Sequence, residues 1–155
     1  IDPDGTVADH WGCGTNLLNF KGDIFGHSCD LDGETYLGTV YRYRPTDGSW
    51  KRWDLPRKQQ VVRWVANGRS ADELLLITEH KENHRERQLY YFYPALDSFA
   101  LIKTAGPEYS VLGYTKGAVR DTSRNCLWFG TDQAFYRFDF TTERLRAYYL
   151  EGGKN

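Results

Sequence analysis

Short runs of alternating apolar and polar residues recur along this chain. In residues 39–44 two tyrosines alternate with two arginines, and residues 135–140 alternate aromatic with charged side chains in the same way. A period of two places successive side chains on opposite faces of a β-strand. Apolar and β-branched residues suited to strands also fill 60–65, 73–78, 88–93, 99–103 and 145–150.

Turn-forming residues separate these runs. In residues 45–48 a proline presets φ and a glycine accepts positive φ, and Asn67-Gly68 is a similar signal. No segment combines a helical period with capping residues, and the charged segment 82–87 is predicted to be a loop. The pattern therefore predicts an all-β fold of short antiparallel strands, and the length favours one domain over residues 1–155.

Three segments of the chain resemble one another. Their equivalent positions are Tyr41, Tyr90 and Tyr136; Tyr43, Phe92 and Phe138; Trp50, Phe99 and Leu145; and Trp53, Ile102 and Tyr148. Each copy is predicted to be a strand, a tight turn and a second strand, and in two copies a further strand ending in Gly-Thr precedes them. A repeat of about 40–50 residues made of short strands is typical of β-propeller blades.

The third copy carries a family resemblance. Residues 121–142 contain Leu127-Trp128-Phe129-Gly130-Thr131 and then Phe135-Tyr136-Arg137-Phe138-Asp139, and resemble a blade of the two-component-regulator type of β-propeller. Residues 30–50 match more loosely, and the resemblance covers 22–150 with gaps. It implies propeller-like packing of blade repeats. Because a propeller closes with about four to eight blades, three blades imply a piece of a larger propeller or an assembly of chains.

A single closed β-barrel of the lipocalin type is the alternative architecture. A chain of 155 residues is long enough for such a barrel, which would hold one small ligand. The only Gly-x-Trp sequence near a strand is Gly48-Ser49-Trp50, which lies in a turn rather than at the opening of the fold. Both architectures stay open at this point.

Charge and composition exclude some partners. The 20 Lys and Arg balance 21 Asp and Glu, which leaves no electrostatic footprint for nucleic acid. No apolar run approaches the roughly 20 residues of a membrane-spanning helix. The chain lacks Met even at residue 1, so we expect the mature form of a secreted or extracytoplasmic protein, or a piece of a larger one. Its odd count of three cysteines leaves the compartment open: Cys13, Cys29 and Cys126.

No recognisable motif specifies a reaction. The densest titratable cluster surrounds His80 and His84, but Lys81 stands where a zinc protease needs glutamate. Cys13 beside His10 or His27 is interpreted as a structural cysteine near histidines rather than as a catalytic pair. We therefore predict no catalytic residue, no metal ligand and no cofactor, and whether the chain is an enzyme stays open.

Aromatic residues, 15% of the chain, carry the functional prediction. Exposed aromatic rings stack on sugars and other flat ligands, and neighbouring arginines add cation–π contacts or bind carboxylates. The predicted ligand-binding residues are Trp50, Trp53, Arg63 and Trp64. By contrast, Trp128 is predicted to be structural and packed between sheets.

The leading functional hypothesis is a non-catalytic binding module for a small molecule, a glycan or a protein partner. Open blade edges would also favour association with a second copy of the chain. Two alternatives remain: a fragment of a metal-dependent propeller hydrolase or lactonase, and a lipocalin-like small-molecule carrier.

Overall fold

The computed structural model describes residues 16–32, 35–80, 87–102, 116–131 and 134–149. Within these ranges the chain forms strands and turns and no helix, so the all-β prediction is confirmed. The strands are β1 (Leu18–Phe20), β2 (Asp23–Asp32), β3 (Thr35–Arg44), β4 (Ser49–Asp54), β5 (Gln60–Asn67), β6 (Leu74–His80), β7 (Arg87–Tyr93), β8 (Ser98–Ile102), β9 (Gly117–Asp121), β10 (Cys126–Gly130), β11 (Ala134–Asp139) and β12 (Arg144–Tyr149).

The strands form three antiparallel sheets, each built from four strands that are consecutive in the chain. We name them sheet 1 (β1–β4), sheet 2 (β5–β8) and sheet 3 (β9–β12). Each is an open meander, and the described strands pair within their own sheet. The alternative of one closed lipocalin-like barrel is therefore wrong. Barrel closure would require hydrogen bonding from the first strand round to the last.

The sequence repeat coincides with the three sheets. In each sheet the third and fourth strands pair so that equivalent residues face each other: Tyr43 with Trp50, Phe92 with Phe99, and Phe138 with Leu145. Side chains directly opposite each other in an antiparallel pair contact across the strands. The repeated aromatic and apolar positions are therefore cross-strand pairs, and the expected unit of strand, turn and strand is confirmed in all three copies.

One expected detail of the repeat is wrong. Gly130 ends β10, and the hydroxyl of Thr131 then accepts a hydrogen bond from the Ala134 amide in the following turn. Gly38 and Thr39 instead lie inside β3 and do not end a strand. The two Gly-Thr pairs therefore occupy different strands of their sheets, and the match of residues 30–50 to a family blade does not hold strand for strand.

Sheet 2 is stacked between the other two sheets. One face of it packs on sheet 1 to form a first core, and the opposite face packs on sheet 3 to form a second core. Leu74 and Leu76 point into the first core, and Leu75 and Ile77 point into the second. Because β6 is covered on both faces, it has a continuous apolar run rather than an alternating one.

Polar contacts tie neighbouring sheets together at their margins. Trp53 Nε1 in sheet 1 donates to Asp97 Oδ1 in sheet 2 at 2.8 Å. Arg120 Nε in sheet 3 donates to the Gly68 carbonyl oxygen at 3.0 Å. No helix in the described part of the chain has the length and apolar character needed to cross a membrane.

Candidate functional site

A cleft of about 450 Å³ opens where sheet 1 meets the margin of sheet 2. Its volume lies within the roughly 300–1,000 Å³ of small-molecule sites. Three parts of the fold line it: the β1–β2 hairpin, the end of β3, and two loops of sheet 2. The lining residues are Phe20, Lys21, Gly22, Asp23, Phe25, Arg42, Arg44, Thr46, Asp72, Pro94 and Ala95.

The β1–β2 hairpin shapes one side of the cleft. Its two turn residues, Lys21 and Gly22, have φ of 55° and 84°. Two consecutive positive φ values are typical of the type I′ turn, whose twist matches that of the flanking strands. This tight turn brings Phe20 and Asp23 opposite each other as a strand pair and holds Lys21 at the rim.

Aromatic rings form the floor of the cleft. Phe20 and Phe25 meet edge to face with ring centroids 5.7 Å apart. Phe25 is buried and stacks on Trp53 at 6.2 Å, so a second aromatic layer supports the floor from behind. Offset-stacked and edge-to-face pairs are the favoured arrangements of aromatic rings. Because Phe25 is buried, the part of the floor open to the cleft is mainly Phe20, packed on a rigid apolar support.

Two arginines form an arginine wall beside this floor, on the same face of sheet 1. Arg42 and Arg44 project from the same face of β3 as the buried Val40, because alternate residues of a strand share a face. Asp23 lies between them. Arg44 donates through Nε and Nη2 to its two carboxylate oxygens, both at 3.2 Å, and this contact raises the pKa of Arg44.

Arg42 shares the same carboxylate less closely. Its Nε is 3.5 Å from Asp23 Oδ2. At the opposite rim Lys21 and Asp72 form an ion pair. The lining therefore contains three cations and two carboxylates, and Asp47, outside the lining, is a further and more distant partner of Arg44 at 3.9 Å.

Trp53, one of the predicted ligand-binding residues, lies directly behind this site. Only 7% of it is exposed, and it contacts the cleft residues Phe25 and Arg42 without lining the cleft itself. Its indole is held by the hydrogen bond to Asp97 and by the Lys51 ammonium, 5.0 Å from its ring centroid. Trp53 therefore supports the cleft from the core.

The structure does not bring the other three predicted residues to the cleft. Trp50 is 41% exposed and lies on the opposite face of sheet 1, where its ring centroid is 4.8 Å from that of Tyr43 and the two rings are tilted by 36°. Arg63 donates to both carboxylate oxygens of the buried Glu79, at 3.1 and 3.0 Å. Trp64 is partly buried against the second core. A ligand-binding role for these three residues stays a prediction.

Sequence reasoning missed the residues that do line the cleft. The alternation in 39–44 correctly separated two tyrosines from two arginines, but it could not say which face turns toward another sheet. The burial of Val40 identifies the face that packs on another sheet, since Val40 lies on the same face of β3 as the two arginines and is fully buried. Phe20 and Phe25 lie in a segment whose strand pattern is interrupted by Gly22, Gly26 and several polar residues.

The remaining candidates for chemistry lie elsewhere. Cys126 is a buried free thiol, which confirms its expected role as a small buried hydrophobe. His27 is buried against Asn16, with Nε2 3.1 Å from Asn16 Oδ1. Among the residues the structure describes, no three His, Cys, Asp or Glu are grouped as a metal site would need. His84 and Cys13 lie outside the described residues.

Comparison with known proteins yields resemblances to solved structures only. No family model matches the chain, and no curated protein matches it. A crystal structure of the extracellular domain of the one component system BT4673 from B. thetaiotaomicron aligns with a TM-score of 0.48 and 14% sequence identity. The alignment covers 88% of this chain and 21% of that one, so this chain spans about a fifth of its length.

Proposed function

We propose that this chain is a non-catalytic binding module that takes a small, ring-bearing molecule into the cleft between sheets 1 and 2. The observation that carries the proposal is that Phe20 and Phe25 lie beside Arg42 and Arg44 on one face of sheet 1, where all four line the cleft. An apolar surface with a few convergent polar groups is the common form of a small-molecule site. A sugar or aromatic ring would lie on the floor while its polar substituents meet the wall.

The ionisable groups of the cleft are suited to binding rather than to proton transfer. Asp23 accepts hydrogen bonds from Arg44 and lies beside Arg42 as well. Lys21 is paired with Asp72. Guanidinium groups stay protonated and cannot act as general bases. The hydrolase or lactonase alternative therefore gains no supporting group from this site.

A second candidate function is protein binding by the outer sheet faces. On sheet 3, Val119, Phe135 and Tyr148 are 70%, 52% and 44% exposed, and they lie on the face turned away from sheet 2. On sheet 1 the corresponding outward face contains Tyr43 and the exposed Trp50. Exposed apolar patches mark interaction sites in many proteins. If these faces bind a second copy of the chain, light scattering over a concentration series should show self-association. A chain that stays monomeric at every concentration would contradict this.

Calorimetric titration tests the small-molecule proposal directly. The probes are glucose, glucuronate, benzyl alcohol and benzoate, and we expect saturable binding of at least one. Phe20→Ala should weaken that binding by roughly tenfold, because a ring stacked on an aromatic side chain contributes about 1–3 kcal/mol.

Phe135→Ala is the matched control, since it removes the same side chain from an exposed position on sheet 3. The Phe135→Ala variant should bind the same probe with the affinity of the unchanged protein. The proposal fails if no probe binds, or if both phenylalanine substitutions weaken binding equally.

A further inference from the structure

We infer that the ligand of this cleft carries a carboxylate and that Arg42 recognises it, an inference that rests on the proposed function. In the cleft, Arg42 has to share its carboxylate partner with another arginine. Arg44 already occupies both oxygens of Asp23 in a bidentate pair, and Arg42 lies 3.5 Å from one of those same oxygens. Arg44 has a second, more distant carboxylate in Asp47, 3.9 Å from its Nη1, whereas Arg42 shares Asp23 with Arg44.

The surroundings of Arg42 make its incomplete pairing costly. Its side chain is only 18% exposed, and its Nε is buried without a hydrogen-bond acceptor among the described residues. The guanidinium carbon lies 5.8 Å from the Trp53 ring centroid, so part of its environment is aromatic. A buried donor that lacks an acceptor is costly, because it loses solvation without compensation. A ligand anion that enters the cleft would compensate for the lost solvation of this guanidinium group.

The register of sheet 1 determines where that anion would lie. Arg42 and Phe25 are cross-strand neighbours in β2 and β3 and point to the same face. Cβ atoms of such neighbours are about 4.5–5.5 Å apart. A carboxylate bound to Arg42 would therefore place a directly attached ring over the Phe20–Phe25 floor.

The amount and shape of the charge favour a carboxylate over a more highly charged group. The lining residues carry one more cation than carboxylate, with Lys21 paired to Asp72 at the other rim, and Asp47 Oδ2 lies 3.9 Å from Arg44 Nη1 just outside the lining, so the site can balance at most a single negative charge. The guanidinium fork matches the two oxygens of a planar carboxylate. A sugar acid or an aromatic acid has both the single charge and the attached ring.

Matched probe pairs test this inference by calorimetry. Glucuronate and glucose differ by the carboxylate, as do benzoate and benzyl alcohol. We expect the acid of at least one pair to bind about tenfold or more tightly than its neutral counterpart. Arg42→Gln should remove that preference, and Arg42→Lys, which keeps the charge, should retain part of it.

Arg52→Gln is the control, because Arg52 lies on the opposite face of sheet 1 and pairs with the exposed Asp54. It should leave the preference unchanged. Thermal melting of each variant establishes that it is folded, and Arg42→Lys provides a second reading if Arg42→Gln is not.

The outcomes separate the two proposals. Equal binding of acid and neutral probes overturns the carboxylate inference and leaves the binding module in place. The carboxylate inference is also overturned if the affinity, relative to glucose, increases more with glucose 6-phosphate than with glucuronate, because the site would then prefer a phosphate group. If none of the probes binds the unchanged protein, the proposed function itself is overturned. A preference that survives Arg42→Gln would assign recognition to another cation.

Discussion

Gly38 marks a close approach between the backbones of two sheets. A Cβ atom at this position would lie 2.6 Å from the Gln60 carbonyl oxygen and 3.0 Å from the Val61 Cα. Backbone atoms of β5 cannot rotate away as a flexible side chain could. Gly38→Ala should therefore lower the free energy of unfolding by about 1–3 kcal/mol, the range for overpacking, as measured by urea denaturation.

Gly117→Ala is the matched control for Gly38→Ala. Gly117 also lies in a strand, and a Cβ there would meet nothing within 4 Å. Its substitution should be close to neutral. Equal destabilisation by the two substitutions would contradict the close approach of β3 and β5.

Trp53 and Trp50 are a matched pair on β4 with opposite environments. Trp53 is 7% exposed and part of the first core, whereas Trp50 is 41% exposed. Trp53→Ala should cost about 3–5 kcal/mol of stability, and Trp50→Ala roughly 1 kcal/mol or less. Chemical denaturation measures both, and a reversed order would show that the faces of sheet 1 are wrongly assigned.

Trp128 differs from its sequence-based expectation. It was expected to be packed between sheets, but it lies on the outward face of sheet 3, half-buried, with its ring 5.5 Å from that of Tyr148. The alternation that separates it from Leu127 and Phe129 is confirmed. What failed is the assumption that both faces of this sheet are covered.

His27 gives the stability a defined pH dependence. Burial, and then the nearby positive charge of Arg63, lower its pKa from 6.5 to about 4. Above pH 6.5 the histidine is neutral in both folded and unfolded chains. Between pH 6.5 and 4 the unfolded chain takes up a proton that the folded chain does not. Stability should therefore fall as the pH falls through this window, by as much as about 3 kcal/mol.

Denaturation at pH 7.5 and pH 5 measures this loss, with His27→Gln as the comparison. The variant lacks the titrating group, so its stability should change less between the two pH values. Equal pH dependence of the two proteins would show that His27 is protonated in the folded state or accessible to water.

At the scale of elements, the sequence predicted strands well where alternation or composition was clean. Residues 60–65, 88–93 and 135–140 all lie within β5, β7 and β11, or within one residue of them. β2 was harder to recognise, since Asp23–Asp32 mixes glycine, histidine, serine and aspartate with few apolar residues. Such a strand is stabilised by its neighbours in the sheet rather than by its own propensity.

The conformations of the turns were likewise only partly predictable from the sequence. The last residue of the turn between the third and fourth strands has positive φ in every sheet: Gly48, Asp97 and Glu143, at 69°, 49° and 52°. Only the glycine signals such a conformation from the sequence alone. At the other two sites the pairing of the flanking strands imposes it, and alignment of the repeats is what reveals the equivalence.

The cleft could not be derived from the sequence for the same reason. Phe25 and Arg42 are neighbours within sheet 1, and only the stacking of sheets 1 and 2 brings Asp72 to them. The sequence did indicate the chemistry, namely aromatic rings beside arginines. It assigned that chemistry to Trp50, Trp53, Arg63 and Trp64, of which only Trp53 contacts residues that line the cleft.

At the scale of the whole molecule, stacking of three similar sheets explains both stability and the position of the site. The central sheet supplies apolar residues to two cores, while its loops reach the margins of both neighbours. The cleft lies at one such margin, where rigid strands supply Phe25 and Arg42 and loops supply Asp72 and Pro94. Binding residues held on a packed scaffold in this way need little reorganisation when a ligand enters.

Amide chemical-shift mapping by NMR tests the central claim, that the cleft is the binding site, most directly. During titration with glucuronate or benzoate, the account predicts saturable shifts at Phe20, Phe25 and Arg42, on the three consecutive strands of sheet 1 that border the cleft. Val119 and Phe135, on the outward face of sheet 3, should not move. Shifts confined to that outward face, or to the surroundings of Trp50, would contradict the account.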